Sequence, residues 1–411
     1  MGKKVVILGG GVIGMFSAYY LSKAGHSVTV LDKQSIGKSS TGNAGMIVPS
    51  HVIPLAAPGM IAKGVRWMFN SKSPFYVKPR WSSELFSWGW NFYRSANQNH
   101  VDSSTSALRD ISLLSKKLYQ DLSSESNDFE YDEKGLLMLF QSEKVGHEER
   151  EAAQIASDLG LEVEIFDRSG LETLNYGPRT NASGAVLYKS DAHLQPNKLM
   201  AFLKSELDWM EVKFIEISNC RNIEMSQGKI VQVVTDTGTY QADEFVIAAG
   251  AWSKELAKLA DESLKLLPGK GYSFTIPKME NAPSIPTILC EGKVAVTSFQ
   301  DQIRFGGTME ITHVKDQKIN TNRVRGIVDT INNFYPEMQI EIPKTKEIWM
   351  GYRPCSPTGL PCISRSTKYS NLVYATGHGM MGLSLGPATG FLVERILSEQ
   401  DHALIPSFRL K

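Results

Sequence analysis

The chain has 411 residues, 42% of them hydrophobic and 21% charged, with 44 Lys and Arg against 43 Asp and Glu. That length predicts two domains around sizeable cores, and the balanced charge offers no field to attract nucleic acid. Cys220, Cys290, Cys355 and Cys362 are scattered without a C-x-x-C, which predicts reduced thiols, no metal site and a cytoplasmic protein.

Val5 to Leu8 is a β-branched run suited to a buried parallel strand. Gly9, Gly11 and Gly14 follow as G-x-G-x-x-G, then a helical pattern ending at Gly25, then a second strand from Ser27 to Leu31. Gly9 permits a sharp turn, Gly11 close approach to a pyrophosphate, and Gly14 close helix packing. The helix N-terminus, including Val12 and Ile13, offers unpaired N–H groups to the diphosphate. Asp32, eighteen residues past Gly14, suits a ribose hydroxyl, and Lys33 follows it. The acid favours FAD or NAD over NADP. Lys3 and Lys4 ahead of this run imitate a signal peptide, but cleavage would destroy the fingerprint.

Ser35 to Gly45 is a loop of small residues able to approach and hydrogen-bond a cofactor, through Ser39, Ser40, Thr41 and Asn43. The stretch from Met46 to Ala96 is rich in Pro and Trp, with short helices expected at Ile61–Phe69 and Leu85–Tyr93. Its aromatics read either as core or channel roof, or, with Lys63, Arg66, Lys72, Lys78 and Arg80, as a membrane-surface segment. No stretch of eighteen apolar residues is present, so no bilayer span is predicted.

Helices are predicted over Ser103–Leu122, Glu143–Leu159, Pro196–Leu207 and Arg323–Asn333. Tyr131 to Phe140 (YDEKGLLMLF) reads as a turn feeding a strand, and strands are predicted at 163–166, 184–188, 212–217, 229–235, 239–241, 245–248, 271–276, 293–298 and 302–306. Ala248 to Ser253 (AAGAWS) turns a buried strand into a helix through small residues. Leu372 to Ala375 is a last strand, followed by the glycine loop TGHGMMG and a helix from Leu383 to Leu397 whose N-terminus should meet a ligand.

Taken together, the first fingerprint, SSTGNAGMIVP, AAPGM, AAGAWS, GYRPCSPTGLP and YATGHGMMG resemble the FAD-dependent D-amino-acid dehydrogenases, within the superfamily of D-amino-acid, glycine and sarcosine oxidases. The resemblance covers nearly the whole chain. It implies an α/β FAD-binding Rossmann-like domain (1–65, 193–262 and 348–411) and an α+β substrate domain with a largely antiparallel sheet (66–192 and 263–347). Gly9, Gly11, Gly14 and Asp32 would hold the diphosphate and ribose. Asn43, Ala44, Gly45 and Met46 would line the flavin ring, with Ala249, Gly250 and Trp252 close by. Gly377, His378, Gly379, Met380, Met381 and Gly382 would bring backbone N–H groups to its N1 edge, where reduced flavin is negative.

By the same resemblance Arg353 would grip a substrate carboxylate with its planar fork. Tyr272 and His51 are the other expected substrate contacts. The sarcosine-oxidase branch tethers its flavin to a cysteine two residues before the arginine; Gly351 stands there, so non-covalent FAD is expected. The implied reaction is oxidative deamination, with hydride passing from the α carbon to flavin N5 and electrons going on to a membrane quinone or other carrier. Peripheral membrane contact through 61–93 would serve that step. A D-proline or D-hydroxyproline dehydrogenase, an O2-using oxidase, a protein using NAD alone and a non-catalytic FAD-binding subunit are the alternatives.

Overall fold

The computed structural model describes residues 2–33, 37–59, 74–78 and 81–410. The expected helix Ile61–Phe69 lies outside these residues, as do Ser35, Lys63, Arg66, Trp67, Lys72 and Arg80.

Among the described residues a six-stranded sheet runs in spatial order Cys362–Arg365, Leu372–Thr376, Glu244–Ile247, Lys4–Leu8, Ser27–Asp32 and Lys213–Glu216. Five of these strands are parallel, and only Cys362–Arg365 runs against its neighbour. The first strand splits its side chains by strict alternation. Val5 and Ile7 enter one core with the helices Val12–Lys23, Gln98–Glu125, Pro196–Trp209 and Gly386–Leu397. Val6 and Leu8 enter the other, with Ala257 of the helix Ser253–Leu259. Burial on both faces is why these strands read as unbroken apolar runs.

The helices Val12–Lys23 and Gly386–Leu397 touch backbone to backbone. A Cβ at Gly390 would fall 2.4 Å from the carbonyl oxygen of Phe16, and one at Gly386 would fall 2.7 Å from its ring. The last helix therefore needs both glycines to lie on the first.

A nine-stranded sheet forms the other half. Its order is Trp349–Cys355, Leu267–Pro277, Gln302–Ile311, Val294–Ser298, Thr287–Leu289, Leu136–Phe140, Gly184–Tyr188 and Val163–Asp167, with Phe75–Val77 also pairing to Gln302–Ile311. It is antiparallel except where Thr287–Leu289 meets Leu136–Phe140 and where Phe75–Val77 joins. Tyr272, Phe274, Val296 and Phe305 point into a core with the helix Thr321–Phe334. The alternating residues Gly271, Ser273, Ala295 and Gly306 face the six-stranded half and line the space between the two.

Two expected boundaries move. Trp349–Cys355, assigned with the cofactor domain, belongs to the nine-stranded sheet. It is an edge strand, where Pro354 costs no ladder bond. The helix Gln98–Glu125, assigned to the substrate domain, packs through Ala107, Leu108, Ile111, Tyr119 and Leu122 into the core of the six-stranded half. Its start precedes the expected one because Asn97 caps it, accepting from His100 N–H at 3.0 Å. The strand Cys220–Ser226 was not anticipated, being exposed along most of its length without alternation. The last helix begins at Gly386, not Leu383, with Pro387 in its first turn.

The four cysteines are free thiols. Among the described residues no helix is long and apolar enough to cross a membrane.

Candidate active site

A cavity of about 850 Å³ lies between the two sheets. Its first wall is the glycine turn. Gly9 has φ +118, and a Cβ there would fall 2.5 Å from the Ala248 oxygen. The chain must be glycine to pass between the first strand and the Ala248–Trp252 turn. No side chain caps the helix Val12–Lys23, although Ser40 Oγ accepts from Val12 N–H at 3.0 Å. The Asp32 carboxylate accepts from Gly10 N–H at the head of this wall.

The cavity contains Gly9, Gly11, Val12, Ile13, Asp32, Lys33, Ser40, Asn43, Ala44, Met46, Ala249, Gly250, Trp252, His378, Gly379, Met380, Met381 and Gly382 in its wall, together with His51, Tyr272 and Arg353. Four expected cofactor residues lie behind it. Gly14 packs helix on strand: a Cβ there would sit 1.8 Å from Gly9 O. Gly45 and Gly377 make turns at φ +84 and +80. Thr41 turns its carbonyl to Arg304. These four shape the wall without forming it.

The loop Thr376–Ser384 also differs from expectation. The wall ends at Ser384, and Gly386 and Pro387 are not part of it, so the loop and not the helix N-terminus meets the cavity. Gly379 N–H donates to Pro354 O and Met381 N–H to His378 O, both at 2.9 Å. Burial drives the His378 imidazole down to about 3, so it is neutral. Its Nε2 meets Thr389 Oγ1 at 2.9 Å.

Arg353 reaches over Gly271, where a Cβ would fall 2.1 Å from its Nη1. Nη1 donates to Thr308 O at 2.8 Å. A guanidinium carries five N–H donors, and among the described residues Arg353 has no carboxylate partner. Burial pulls its pKa below the ordinary value. Tyr272 reaches the wall, but its hydroxyl accepts from Asn320 N–H at 3.1 Å, which directs it to a loop. His51 lies in the wall, held neutral by burial with its pKa near 4. Its Nδ1 is 3.2 Å from Ser50 Oγ, which donates to Asp191 at 2.5 Å.

Several wall-forming or wall-holding residues escaped the sequence reading. Arg304 Nη1 donates to Thr41 O at 2.6 Å and to Asn43 O at 2.8 Å, and burial lowers its pKa to about 10. An arginine inside the apolar strand QIRFGG was its signal. Ser273 Oγ donates to Gly42 O at 2.7 Å. Trp349 lies across two glycines: a Cβ at Gly42 would fall 1.9 Å, and one at Gly351 2.0 Å, from its ring.

His313, Val314, Lys315 and Gln317 supply a further wall. The buried Lys270 holds that loop through the carbonyls of Asp316 and Lys318, at 3.2 and 2.9 Å, and Tyr352 Oη donates to Asp316 O at 2.7 Å. Burial alone would raise the Asp316 pKa. Hydrogen bonds from Lys78 and Thr312 and the Lys270 charge hold it well below the usual carboxylate range.

These residues fit FAD. Gly11, where a Cβ would meet only Ser40 Oγ at 3.5 Å, leaves backbone open for a diphosphate, and Asp32 suits a ribose hydroxyl. Ile217, Leu256 and Leu259 give an apolar end to the same cavity. The buried Arg353 stands on the second sheet, and Ala44 and Met46 line the same cavity.

The comparisons agree. Residues 4–396 match the FAD dependent oxidoreductase family. The chain is 31% identical over 403 residues to the D-amino acid dehydrogenase of Vibrio atlanticus (strain LGP32), covering 96% of each. It is 30% identical over 405 residues to the D-amino acid dehydrogenase of Bradyrhizobium diazoefficiens, covering 96% of this chain and 95% of that one. Glycine oxidase from Bacillus cereus ATCC 14579 superposes with a TM-score of 0.77 at 20% identity, over 100% of this chain and 99% of that one. L-proline dehydrogenase from P. horikoshii superposes with a TM-score of 0.75 at 19% identity, over 99% and 96%. This chain belongs to the family of FAD-dependent oxidoreductases.

Proposed function

We propose that this enzyme oxidises the Cα–N bond of D-amino acids. The observation that carries the reading is Arg353: a buried guanidinium in a cavity wall, with most of its donors unclaimed, is costly until a carboxylate meets it. The D-amino acid dehydrogenases at 30–31% identity support the substrate class and its handedness.

Arg353 would take the carboxylate through two parallel hydrogen bonds, fixing the orientation of the α carbon. The amine loses a proton, and the α carbon loses its hydrogen with the electron pair. The product is a C=N imine, which water hydrolyses to the oxo acid and ammonia. FAD supplies the acceptor for that electron pair. The wall from His313 to Gln317, tied down by Lys270 and Tyr352, restricts water at the reacting end.

An anaerobic absorbance titration tests the reading. Bleaching of the oxidised flavin by D-amino acids and not by their L-counterparts is the expected result; a flavin that no amino acid bleaches overturns it. D-proline and D-hydroxyproline belong in the panel.

An oxidoreductase must hand its electrons on, and we infer a membrane quinone as acceptor. The helix Ser83–Ser95 supports this. It buries Trp88 while Phe86, Trp90 and Tyr93 stay 61–62% exposed, and Trp81 beside it is 95% exposed. Such aromatic faces suit the headgroup region of a bilayer. Co-sedimentation with anionic vesicles, lost on W81A/W90A substitution, is expected; equal sedimentation of both proteins would refute the contact.

A further inference from the structure

One wall of the cavity carries a second cation. Val294 pairs with Gly307, and Gly307 with Tyr272. Across these strands Lys293 therefore lies beside Thr308, and Gly271 lies opposite the irregularity at Thr308 and Met309. Two strand spacings, about 10 Å, separate the Lys293 and Gly271 backbones. Arg353 lies over Gly271 and bonds Thr308 O, so the two cations flank Thr308 on one wall. Lys293 ends the turn before the strand Val294–Ser298, in the left-handed region at φ +48, and both Lys293 and Ala295 line the cavity.

Lys293 is the more open member of an ion pair. Its side chain is 48% exposed while forming the cavity wall, whereas its partner Glu149 is 10% exposed and bonds it at 2.8 Å. A lysine ammonium has three donors, and Glu149 is its one hydrogen-bond partner among the described residues. Met138 and Ile288 also line the cavity, as does His51, which the charges of Glu149 and Lys293 reach. His51 is neutral there, and the Asp191–Ser50 pair stands behind it.

We propose that Lys293, held by Glu149, recognises the substrate side chain across the same wall from Arg353, selecting a neutral oxygen acceptor such as a hydroxyl or carboxamide. The proposal rests on the amino-acid reading above. Glu149 sets the preference for neutral groups. It already neutralises the ammonium, and a second carboxylate would face it as a like charge. An apolar side chain would leave the Lys293 donors without a partner.

Matched substrates test this. D-serine against D-2-aminobutyrate, and D-homoserine against D-norvaline, differ by a hydroxyl in place of a methyl. In the holoenzyme kcat/KM should favour the hydroxyl member of at least one pair, and K293M should cut that ratio about ten- to a hundredfold. E149Q, which leaves the ammonium uncompensated, should raise D-glutamate relative to D-glutamine. Flavin content and spectrum confirm that each variant is folded. Ratios that neither variant moves would overturn the assignment while leaving the amino-acid reading intact. A wild-type flavin that no amino acid reduces would overturn both.

Discussion

The guanidinium of Arg353 fills the space that a side chain at residue 271 would take, 2.1 Å from where a Gly271 Cβ would stand. A glycine in one strand thus fixes the height of a guanidinium in the next. G271A should displace the arginine and raise KM sharply while FAD stays bound. R353K keeps the charge but loses the fork, and kcat/KM should fall on the order of a hundredfold. Steady-state kinetics with a flavin-content control measures both; unchanged kcat/KM in R353K would remove the arginine from the substrate site.

Arg304 closes the loop that contains Asn43 by bonding two of its carbonyls. R304M removes both charge-assisted bonds and leaves the Thr41 and Asn43 oxygens unsatisfied. FAD affinity should drop about tenfold or more, as measured by fluorescence of released flavin. Substrate preference should stay as in the wild type, because Arg304 acts through the loop.

FAD should come away without breaking a bond. Gly351 offers no sulfur, and its missing Cβ leaves space for the Trp349 ring. Precipitation with acid should leave the yellow colour in the supernatant. Colour retained in a washed pellet would show a covalent link elsewhere.

Stability should fall on acidification. Burial pushes His51 and His193 down to about 4 and His378 to about 3, against an ordinary 6.5. Between pH 6.5 and about 4 the unfolded chain binds protons that the native one refuses, so stability is lost as pH falls through that window. Asp191 acts the other way. Burial raises it to about 7, against the bonds from Ser50, so its contribution is lost as pH rises from about 4 to 7. Three histidines outweigh one aspartate, and Tm should drop from pH 6.5 to 4.5. In D191N the opposing group is gone, so its Tm relative to wild type should rise between pH 4 and 7. A difference independent of pH would show that Asp191 keeps its ordinary pKa.

The cofactor cradle could be read from the sequence because its parts are neighbours in the chain. Gly9, Gly11, Gly14 and Asp32 fall within one strand–helix–strand unit, and each glycine has a local steric reason. Arg353 became visible only through a motif. Lys293 and Arg304 stayed hidden because their partners, Glu149 and the Thr41–Asn43 loop, lie more than a hundred residues away. The fold that joins them is set by sheet register, which a single sequence does not display. Trp349–Cys355 was misplaced for a related reason. The segment was assigned with the cofactor domain that follows it in the chain, whereas its strand partner, Leu267–Pro277, lies about eighty residues earlier.

The contact of Gly386 and Gly390 with Phe16 joins the two ends of the chain. During synthesis the opening strand and helix leave the ribosome long before the segment that covers them. At ordinary elongation rates the wait is roughly 20–80 s. Throughout it the part of the Val12–Lys23 helix around Phe16 that Gly386 and Gly390 will cover stays open, although Tyr119 and the helix Pro196–Trp209 arrive earlier, which makes the nascent chain a natural client for chaperones. Truncation just before Gly386 should therefore cost the whole cofactor half, with no shorter folded fragment left behind.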